Sequence, residues 1–239
     1  MNVALIFAGG TGQRMNTRTV PKQFLELHGK PILIYTVEIF DSHPEIDGIV
    51  VVCLESWIER FERMLLKFGI QKVKAVLPGG VNGQDSIFRG IEWINQHYPQ
   101  DTGVLIHDGV RPLIDAQTIS SDLVCLNAHG NAITVTSAQE TIAIDNTDDH
   151  IGRIVNRSHC KLARAPQCFR IGDLYQAHLR AQADKKTDFI DSASLMQYYG
   201  AELFMVEGPP QNIKITTPSD FYIFRAVKDA EENSQIFGL

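Results

Sequence analysis

The sequence has no apolar run that approaches the roughly 20 residues needed to cross a bilayer. Its amino terminus, MNVALIFAGG, has no basic residue ahead of its short apolar run, unlike a secretory signal peptide. Only four cysteines occur in 239 residues, and none forms a Cys-x-x-Cys pair. Their scatter argues against a disulfide framework or a structural zinc site. These absences predict a cytoplasmic protein with no membrane partner.

An excess of basic residues is also missing. The formal net charge is −6, whereas nonspecific nucleic-acid binding needs a basic face, so no nucleic-acid partner is expected. A local cluster of lysine and arginine could still bind a small polyanion. The hydrophobic fraction of 44% and the charged fraction of 21% are ordinary for a globular protein. The length fits one α/β domain over residues 1–239, although it could just hold two small ones.

Short apolar, β-branched runs alternate with stretches of helical periodicity. Strands are predicted at residues 3–7, 48–54, 72–77, 103–107 and 132–137, and helices at residues 32–40, 56–68 and 86–97. Runs without polar alternation indicate strands that are covered on both faces. We therefore predict an α/β fold, Rossmann-like, with a mostly parallel sheet sandwiched by helices. Ligands of such sheets bind beyond the carboxyl ends of the strands.

One segment departs from this alternation. Residues 139–157 alternate apolar and polar residues, turn through 145–149, and alternate again, which is typical of a β-hairpin. A lone hairpin is only marginally stable, so it must pack on its own domain or on a partner subunit. We predict a protruding β-arm at about residues 139–158.

A glycine-rich loop follows the first predicted strand. Gly9, Gly10 and Gly12 can point backbone N–H groups at an anion, although a tight turn without a ligand would use the same residues. The loop lacks the Gly-Lys-Ser/Thr of a Walker motif. It also lacks the third glycine of a dinucleotide fingerprint, because Met15 stands there. P-loop NTPases and dehydrogenases are therefore disfavoured.

Two basic residues flank the next segment. Arg14 and Lys22 stand on either side of a threonine-rich stretch that ends at Pro21. Two cations beside a phosphate-binding loop suit a triphosphate whose charge grows as pyrophosphate leaves. Read alone, both residues could be solvated surface charges.

The combined pattern A-G-G-x-G-x-R-M…P-K-Q-F closely resembles the opening of the nucleotide-sugar pyrophosphorylases. Within that group it is similar to the cytidylyltransferases that act on methylerythritol phosphate and on ribitol phosphate. The resemblance, which extends over essentially the whole chain, implies CTP as a substrate and Mg²⁺ as a cofactor. It also implies nucleotide binding by the loop residues Ala8, Gly9, Gly10, Thr11 and Gly12.

Pro78-Gly79-Gly80 with Asp85-Ser86 is similar to the family's base-recognition segment. Gly79, Gly80 and Ser86 are therefore expected to contact cytosine and ribose, while Ser86 could instead cap the following helix. The family commonly has an arginine where Gly83 or Gln84 stands here.

The string His-Asp-Gly-Val-Arg-Pro at residues 107–112 resembles the family's H-D-[AG]-x-R-P. By this resemblance Asp108 binds the metal and the ribose side of CTP, and Arg111 lies near the acceptor. Mg²⁺ favours a carboxylate together with phosphate oxygens, which suits an aspartate in this position.

In the arm, Glu140-Thr141 and Asn156-Arg157 resemble the family's Asp-Thr and Asp-Arg pairs. The resemblance implies a homodimer with exchanged arms, in which Arg157 reaches the partner's active site to hold the acceptor phosphate. It also implies that Thr141 binds substrate. The sequence Asn-Ile-Lys-Ile-Thr at residues 212–216 matches a further motif and implies that Lys214 sits beside the reacting phosphates.

Two departures concern the acceptor: Ala165 and Ile190 replace threonines of the methylerythritol-phosphate enzymes. We expect CTP-dependent transfer of CMP to ribitol 5-phosphate or a related polyol phosphate, with methylerythritol phosphate as the alternative. A non-catalytic nucleotide-binding protein and an enzyme for another nucleotide are the rivals. The expected catalytic residues are Arg14, Lys22, Lys214 and Arg157, and the expected substrate-binding residues are Arg111, Thr141, Arg157 and Ala165.

Overall fold

The computed structural model of the protein describes residues 1–9, 20–146 and 149–237. Within these residues the strands are β1 Asn2–Ala8, β2 Glu26–Leu27, β3 Lys30–Pro31, β4 Gly48–Cys53, β5 Val73–Pro78, β6 Gly103–Asp108, β7 Asn131–Ser137, β8 Ile142–Asp145, β9 Ile151–Val155, β10 Lys161–Arg170 and β11 Met205–Glu207. The α-helices are α1 Ile32–Ser42, α2 Ile58–Lys67, α3 Gly83–His97, α4 Ala116–His129, α5 Ile171–Ala183, α6 Ser192–Tyr198 and α7 Pro218–Phe237.

Seven strands form the main sheet in the order β11-β7-β10-β6-β1-β4-β5. The pairs β6–β1, β1–β4, β4–β5 and β11–β7 are parallel, whereas β10 runs antiparallel between β6 and β7. Ala8 pairs with Cys53, Cys53 with Pro78, and Phe7 with Asp108. The carboxyl ends of four neighbouring strands therefore meet along one edge, where ligands of such sheets bind.

Helices cover both faces of this sheet. Successive side chains of a strand point to opposite faces, so neighbouring residues of one strand pack against different helices. Ile6 packs in a cluster with Phe40 of α1 and Phe61 of α2. Its neighbour Leu5 packs in another cluster with Ile91 of α3 and Leu174 of α5. All six residues of β4 are buried, as are all six of β6, which explains their continuous apolar sequence. The predicted α/β class with a mostly parallel sheet is confirmed.

The five predicted strands are present, each within one residue at either end. The start of α3 differs from the prediction, since Asn82 caps it by accepting a hydrogen bond of 2.8 Å from the Asp85 amide. The alternative that Ser86 caps this helix is therefore wrong. Sequence reasoning also missed the antiparallel strand β10 and the helices α4, α5 and α6.

The predicted hairpin is present as the separate two-stranded sheet β8–β9. Its side chains are mostly exposed, including Ile144, Ile151 and Ile154. The role of this hairpin as an arm between subunits stays a prediction, as does the single-domain organisation. In the parts of the chain that the structure describes, no helix has the length and apolar character that crossing a bilayer requires.

Candidate functional site

Asp108 ends β6 and forms the centre of an ion-pair network. Its Oδ2 atom lies 2.7 Å from Nε of Arg111, and its Oδ1 atom lies 2.6 Å from Nζ of Lys214. Asp108 and Arg111 are buried, whereas the side chain of Lys214 is 41% exposed. The network therefore presents one accessible ammonium group beside a buried carboxylate.

The protonation of Asp108 depends on these two cations. Burial would raise the pKa of the carboxyl group, but the charges of Arg111 and Lys214 and their hydrogen bonds outweigh this effect. Together they hold the pKa of Asp108 at about 2. The group is therefore a carboxylate at neutral pH.

A tight turn fixes Arg111 relative to Asp108. The Gly109 amide donates to the Phe7 carbonyl at 2.9 Å, and the Arg111 amide donates to the Asp108 carbonyl at 3.1 Å. A β-carbon on Gly109 would lie 2.7 Å from a methyl group of Leu33, so only glycine fits without displacement. His107 lies beneath the turn and its Nε2 atom is 3.1 Å from the Arg111 carbonyl. Because burial lowers the pKa of His107 to about 4, the neutral ring donates this hydrogen bond.

The start of the glycine loop touches the predicted base-recognition segment. A β-carbon built on Gly79 would lie 3.4 Å from the Cα atom of Gly9, so the two backbones approach closely. Ser86 Oγ accepts a hydrogen bond of 2.9 Å from the Gly80 amide and donates one of 2.8 Å to the Asn82 carbonyl. Ser86 is buried, and its two hydrogen bonds fix the conformation of this segment. Its predicted contact with a nucleotide stays a prediction.

Four predicted residues, Gly10, Thr11, Gly12 and Arg14, lie outside the described residues. On either side of them, Ala8 ends β1, and Lys22 begins the short 3₁₀ helix Lys22–Phe24. The side-chain amide of Gln23 donates to the Ala8 carbonyl, which ties this helix to the end of β1. Lys22 is thereby kept near the carboxyl edge of the sheet.

A cleft of about 600 Å³ opens beside the ion-pair network. Asp108, Arg111, Lys214 and Ala165 line it, together with residues from the start of α3 and from the segment 187–192. This volume lies within the range of about 300–1,000 Å³ typical of small-molecule sites. Within the described residues, Arg157 and Thr141 do not line this cleft; Arg157 instead donates a hydrogen bond of 2.6 Å to the Gln139 carbonyl.

Residues 186–190, here called the cleft segment, are held by side-chain amides of the base-recognition segment. Gln84 donates to the Lys186 carbonyl at 3.1 Å and accepts from the Phe189 amide at 3.2 Å. Asn82 adds a hydrogen bond of 3.3 Å to the Thr187 carbonyl. Gln84, at a departure from the family pattern, thus joins the two sides of the cleft. Ile190 is 95% exposed at the end of this segment.

Asn212 links the ion-pair network to the opposite wall. It is buried, and its carbonyl accepts a hydrogen bond of 2.9 Å from Nη1 of Arg111. Its side-chain amide donates to the Ala165 carbonyl at 2.7 Å. In the same wall, Gln167 donates to Asp191 at 2.8 Å, and Asp191 caps α6. These bonds place Ala165 near Arg111; that both residues bind the acceptor stays a prediction.

Arg164 and His178 are among the cleft residues that sequence reasoning missed. Arg164 directly precedes Ala165, and a basic residue beside this expected acceptor-binding position was the signal that could have identified it. His178 lies among apolar positions of α5, where a histidine gives no distinguishing signal. Burial lowers the pKa of His178 to about 4, so its ring is neutral.

No group of three or more His, Cys, Asp or Glu residues with metal-binding geometry occurs in the described part of the chain. The carboxylate of Asp108 nevertheless fits a divalent cation that takes its other ligands from phosphate and water. Mg²⁺ commonly binds in this way, with one or two protein carboxylates.

Comparison with known proteins gives a family match over residues 2–228. The matching family model describes 2-C-methyl-D-erythritol 4-phosphate cytidylyltransferase (IspD). The chain belongs to this family. It is therefore a nucleotidyltransferase of the cytidylyltransferase class.

Relatives within the cytidylyltransferases match over the full chain. A ribitol-5-phosphate cytidylyltransferase of Vibrio parahaemolyticus is 49% identical, with all of both chains covered. One of Streptococcus agalactiae, also ribitol-5-phosphate cytidylyltransferase, is 47% identical with the same coverage. A crystal structure of 4-diphosphocytidyl-2C-methyl-D-erythritol synthase from Anaerococcus prevotii superposes with a TM-score of 0.82 at 25% identity, covering 95% of this chain and 96% of that chain.

Proposed function

We propose that the protein transfers CMP from CTP to ribitol 5-phosphate, or a related polyol phosphate, and releases pyrophosphate. The observation that carries this proposal is the Asp108–Arg111–Lys214 network, which lies in a cleft at the carboxyl edge of the sheet. The family supplies the reaction class. The network supplies a carboxylate that can bind a metal ion and a cation that can bind phosphate oxygens, both of which such a transfer requires.

In the proposed reaction, a phosphate oxygen of the acceptor attacks the α-phosphorus of CTP. A P–O bond forms to the acceptor while the bond to the departing pyrophosphate breaks. A phosphate monoester loses its second proton with a pKa near 6, so the nucleophile is already ionised at neutral pH. The step needs no general base, and catalysis comes from positioning and charge neutralisation.

Each cation has a place in this scheme. Lys214 lies next to Asp108 with its ammonium group accessible, so it can bind phosphate oxygens of either substrate. Arg14 and Lys22 are proposed to stabilise the charge that develops on the leaving pyrophosphate. By analogy with the loss of an oxyanion-hole donor, removal of one such cation lowers kcat by roughly 10²-fold or more.

Asp108 is proposed to hold Mg²⁺ together with phosphate oxygens of CTP. The ion would supply additional neutralisation of the phosphate charge. Because the carboxyl group keeps a pKa of about 2, it is available as an anionic ligand throughout the neutral pH range.

Two observations favour a polyol phosphate as the acceptor. The two relatives named above, at 49% and 47% identity over the whole chain, are ribitol-5-phosphate cytidylyltransferases. The cleft contains Ala165 and Ile190 in place of the two threonines expected for methylerythritol phosphate. Methylerythritol phosphate remains the second candidate because the family model describes that activity.

The β8–β9 hairpin is proposed to act as an exchanged arm of a homodimer. Its exposed isoleucines, Ile144, Ile151 and Ile154, give it an apolar surface that a partner subunit could cover. Arg157 and Thr141 lie at the base of this hairpin and outside the cleft of their own chain. Arm exchange would bring them to the acceptor phosphate of the partner, where arginine is suited to bidentate binding.

The test is pyrophosphate release from CTP and Mg²⁺ with a panel of phosphorylated alcohols: ribitol 5-phosphate, methylerythritol 4-phosphate and glycerol 3-phosphate. The proposal predicts the highest kcat/KM with ribitol 5-phosphate or another linear polyol phosphate. A clear preference for methylerythritol phosphate would establish the second candidate. Nucleotide binding without turnover of any acceptor would support the non-catalytic rival, and faster turnover with UTP or GTP would support an enzyme for another nucleotide.

A further inference from the structure

Arg164 lies in an irregular part of β10. The ladder between β10 and β7 pairs Ala163 with Val135 and then Gln167 with Ile133, so three residues of β10 stand opposite one of β7. Such a bulge turns side chains away from the regular strand directions. Arg164 belongs to this bulge and lines the cleft that contains Asp108 and Lys214.

The Arg164 guanidinium has no anionic partner in the part of the chain that the structure describes. Its Nε atom is buried without a hydrogen bond, and no ion pair within 4 Å involves this side chain. Proteins rarely leave such a buried donor unpaired unless water or a ligand satisfies it.

The charged group that perturbs Arg164 electrostatically is another cation, Arg111. Asn212 bonds to both Arg111 and the Ala165 carbonyl, which brings the two arginine positions together. Burial, and then the positive charge of Arg111, lower the pKa of the Arg164 guanidinium. Arg111 is itself neutralised by Asp108, whereas no carboxylate of the described residues neutralises Arg164. An anion bound in the cleft would relieve this repulsion.

The order of the strands indicates which substrate's phosphate group would lie beside Arg164. The strand β6, with Asp108 at its end, lies between β1 and β10. Gly9, at the start of the glycine loop, follows β1 and the base-recognition segment follows β5 on one side of Asp108, whereas Arg164 lies on the other side. Ala165 and Gln167 lie on the same side of Asp108 as Arg164. Gln167 donates a hydrogen bond to Asp191, the residue that follows the cleft segment.

We propose that Arg164 binds the phosphate monoester of the acceptor within its own protomer. This inference rests on the proposed function and adds a residue that sequence reasoning did not assign. A guanidinium group binds two phosphate oxygens through paired N–H donors, which orients the phosphate as well as attracting it. Arg164 would thereby help to aim the attacking oxygen at the nucleotide.

The variants Arg164→Gln and Arg164→Lys test this proposal, with Arg225→Gln as the matched control on the exposed surface of α7. Thermal unfolding of each variant is measured first. We expect Arg164→Gln to lower kcat/KM for the acceptor by about 10- to 100-fold, as for lost hydrogen bonds to a charged group. The KM for CTP should change less than about 3-fold. Arg164→Lys should lower kcat/KM for the acceptor less than Arg164→Gln does, because lysine keeps the charge but not the paired donors.

A binding measurement separates this inference from the proposed function. Inorganic phosphate and ribitol 5-phosphate are titrated calorimetrically into the wild type and the three variants, in the absence of CTP. We expect both ligands to bind about 10-fold more weakly to Arg164→Gln than to the wild type or to Arg225→Gln. This result supports the inference even if the wild type turns over no polyol phosphate, in which case only the proposed function fails.

Three outcomes would overturn the inference. The first is a folded Arg164→Gln protein that binds both ligands with wild-type affinity. The second is an unchanged kcat/KM for the acceptor in an active enzyme. The third is a loss confined to the KM for CTP or to inhibition by pyrophosphate, which would assign Arg164 to the phosphates of the nucleotide.

Discussion

Asp122 provides a measurable link between a buried charge and stability. This residue of α4 is fully buried, and its Oδ2 atom accepts a hydrogen bond of 2.8 Å from the Thr134 hydroxyl. Its other oxygen is buried without a hydrogen bond among the described residues. Burial raises the pKa of Asp122 to about 7, an effect that the Thr134 hydrogen bond only partly offsets.

The pH dependence follows from the sign of this change. The folded state holds the Asp122 proton up to about pH 7, whereas the unfolded chain releases it near the ordinary pKa of 3.8. Its contribution to stability is therefore fully present below about pH 4 and is lost as the pH rises to about 7. At 1.36 kcal/mol for each pKa unit, the loss over this window is about 4 kcal/mol at most.

The variant Asp122→Asn removes this titration while keeping a similar side-chain shape. We expect its free energy of unfolding to exceed that of the wild type by a margin that grows from pH 4 to pH 7 and then stays constant. Urea unfolding at several pH values measures the margin, and the exposed Asp101→Asn serves as the control. A difference in the free energy of unfolding between Asp122→Asn and the wild type that stays the same at every pH would contradict a raised pKa of Asp122.

Three further predictions concern the cleft and the arm. Lys214→Met should lower kcat by roughly 10²-fold or more because the reacting phosphates lose a cation, as steady-state kinetics with CTP would show. Gln84→Ala should raise the KM for the acceptor by about 10-fold, with a smaller effect on CTP, because two hydrogen bonds that hold the cleft segment are lost. If arms are exchanged, mixing inactive Arg157→Gln and Lys214→Met subunits should restore about a quarter of wild-type activity, because each heterodimer has one intact site.

Each of these predictions has a result that would contradict it, and the Gln84 prediction has a matched control. For Gln84, the exposed Gln96→Ala on the same helix is the control. An unchanged KM for the acceptor in Gln84→Ala would show that the two hydrogen bonds of Gln84 do not position the acceptor. Wild-type turnover by Lys214→Met would remove this residue from the mechanism. For the mixed subunits, activity that stays at the level of the separate variants after dissociation and reassembly would argue against arm exchange.

Much of the fold could be predicted because local pattern and burial agree. The strands β4 and β6 are apolar throughout, since both of their faces are covered. The strand β10 was missed because it contains Lys161, Arg164 and Pro166, which are unfavourable for a central strand. The polar positions of α4, among them the buried Thr118 and Asp122, similarly hide its inward face.

The candidate site was predictable only where neighbouring residues share a motif. Asp108 and Arg111 are three positions apart, so a turn at the end of a strand brings them together. The 2.6 Å contact between Lys214 and Asp108 joins residues far apart in the chain and depends on the complete fold. Arg164 gains its significance from what surrounds it, because a guanidinium whose Nε atom is buried without a hydrogen bond can be identified only once its neighbours are known.

The most direct test of the central claim is ³¹P NMR of the purified protein with CTP, Mg²⁺ and ribitol 5-phosphate. We expect the CTP and phosphate-monoester signals to decline together, while signals of a diphosphate diester and of pyrophosphate appear in equal amounts. We also expect Lys214→Met to form these products far more slowly. Signals of CTP and ribitol 5-phosphate that stay unchanged with the folded wild-type protein, or conversion of CTP to CDP or CMP alone, would contradict the central claim.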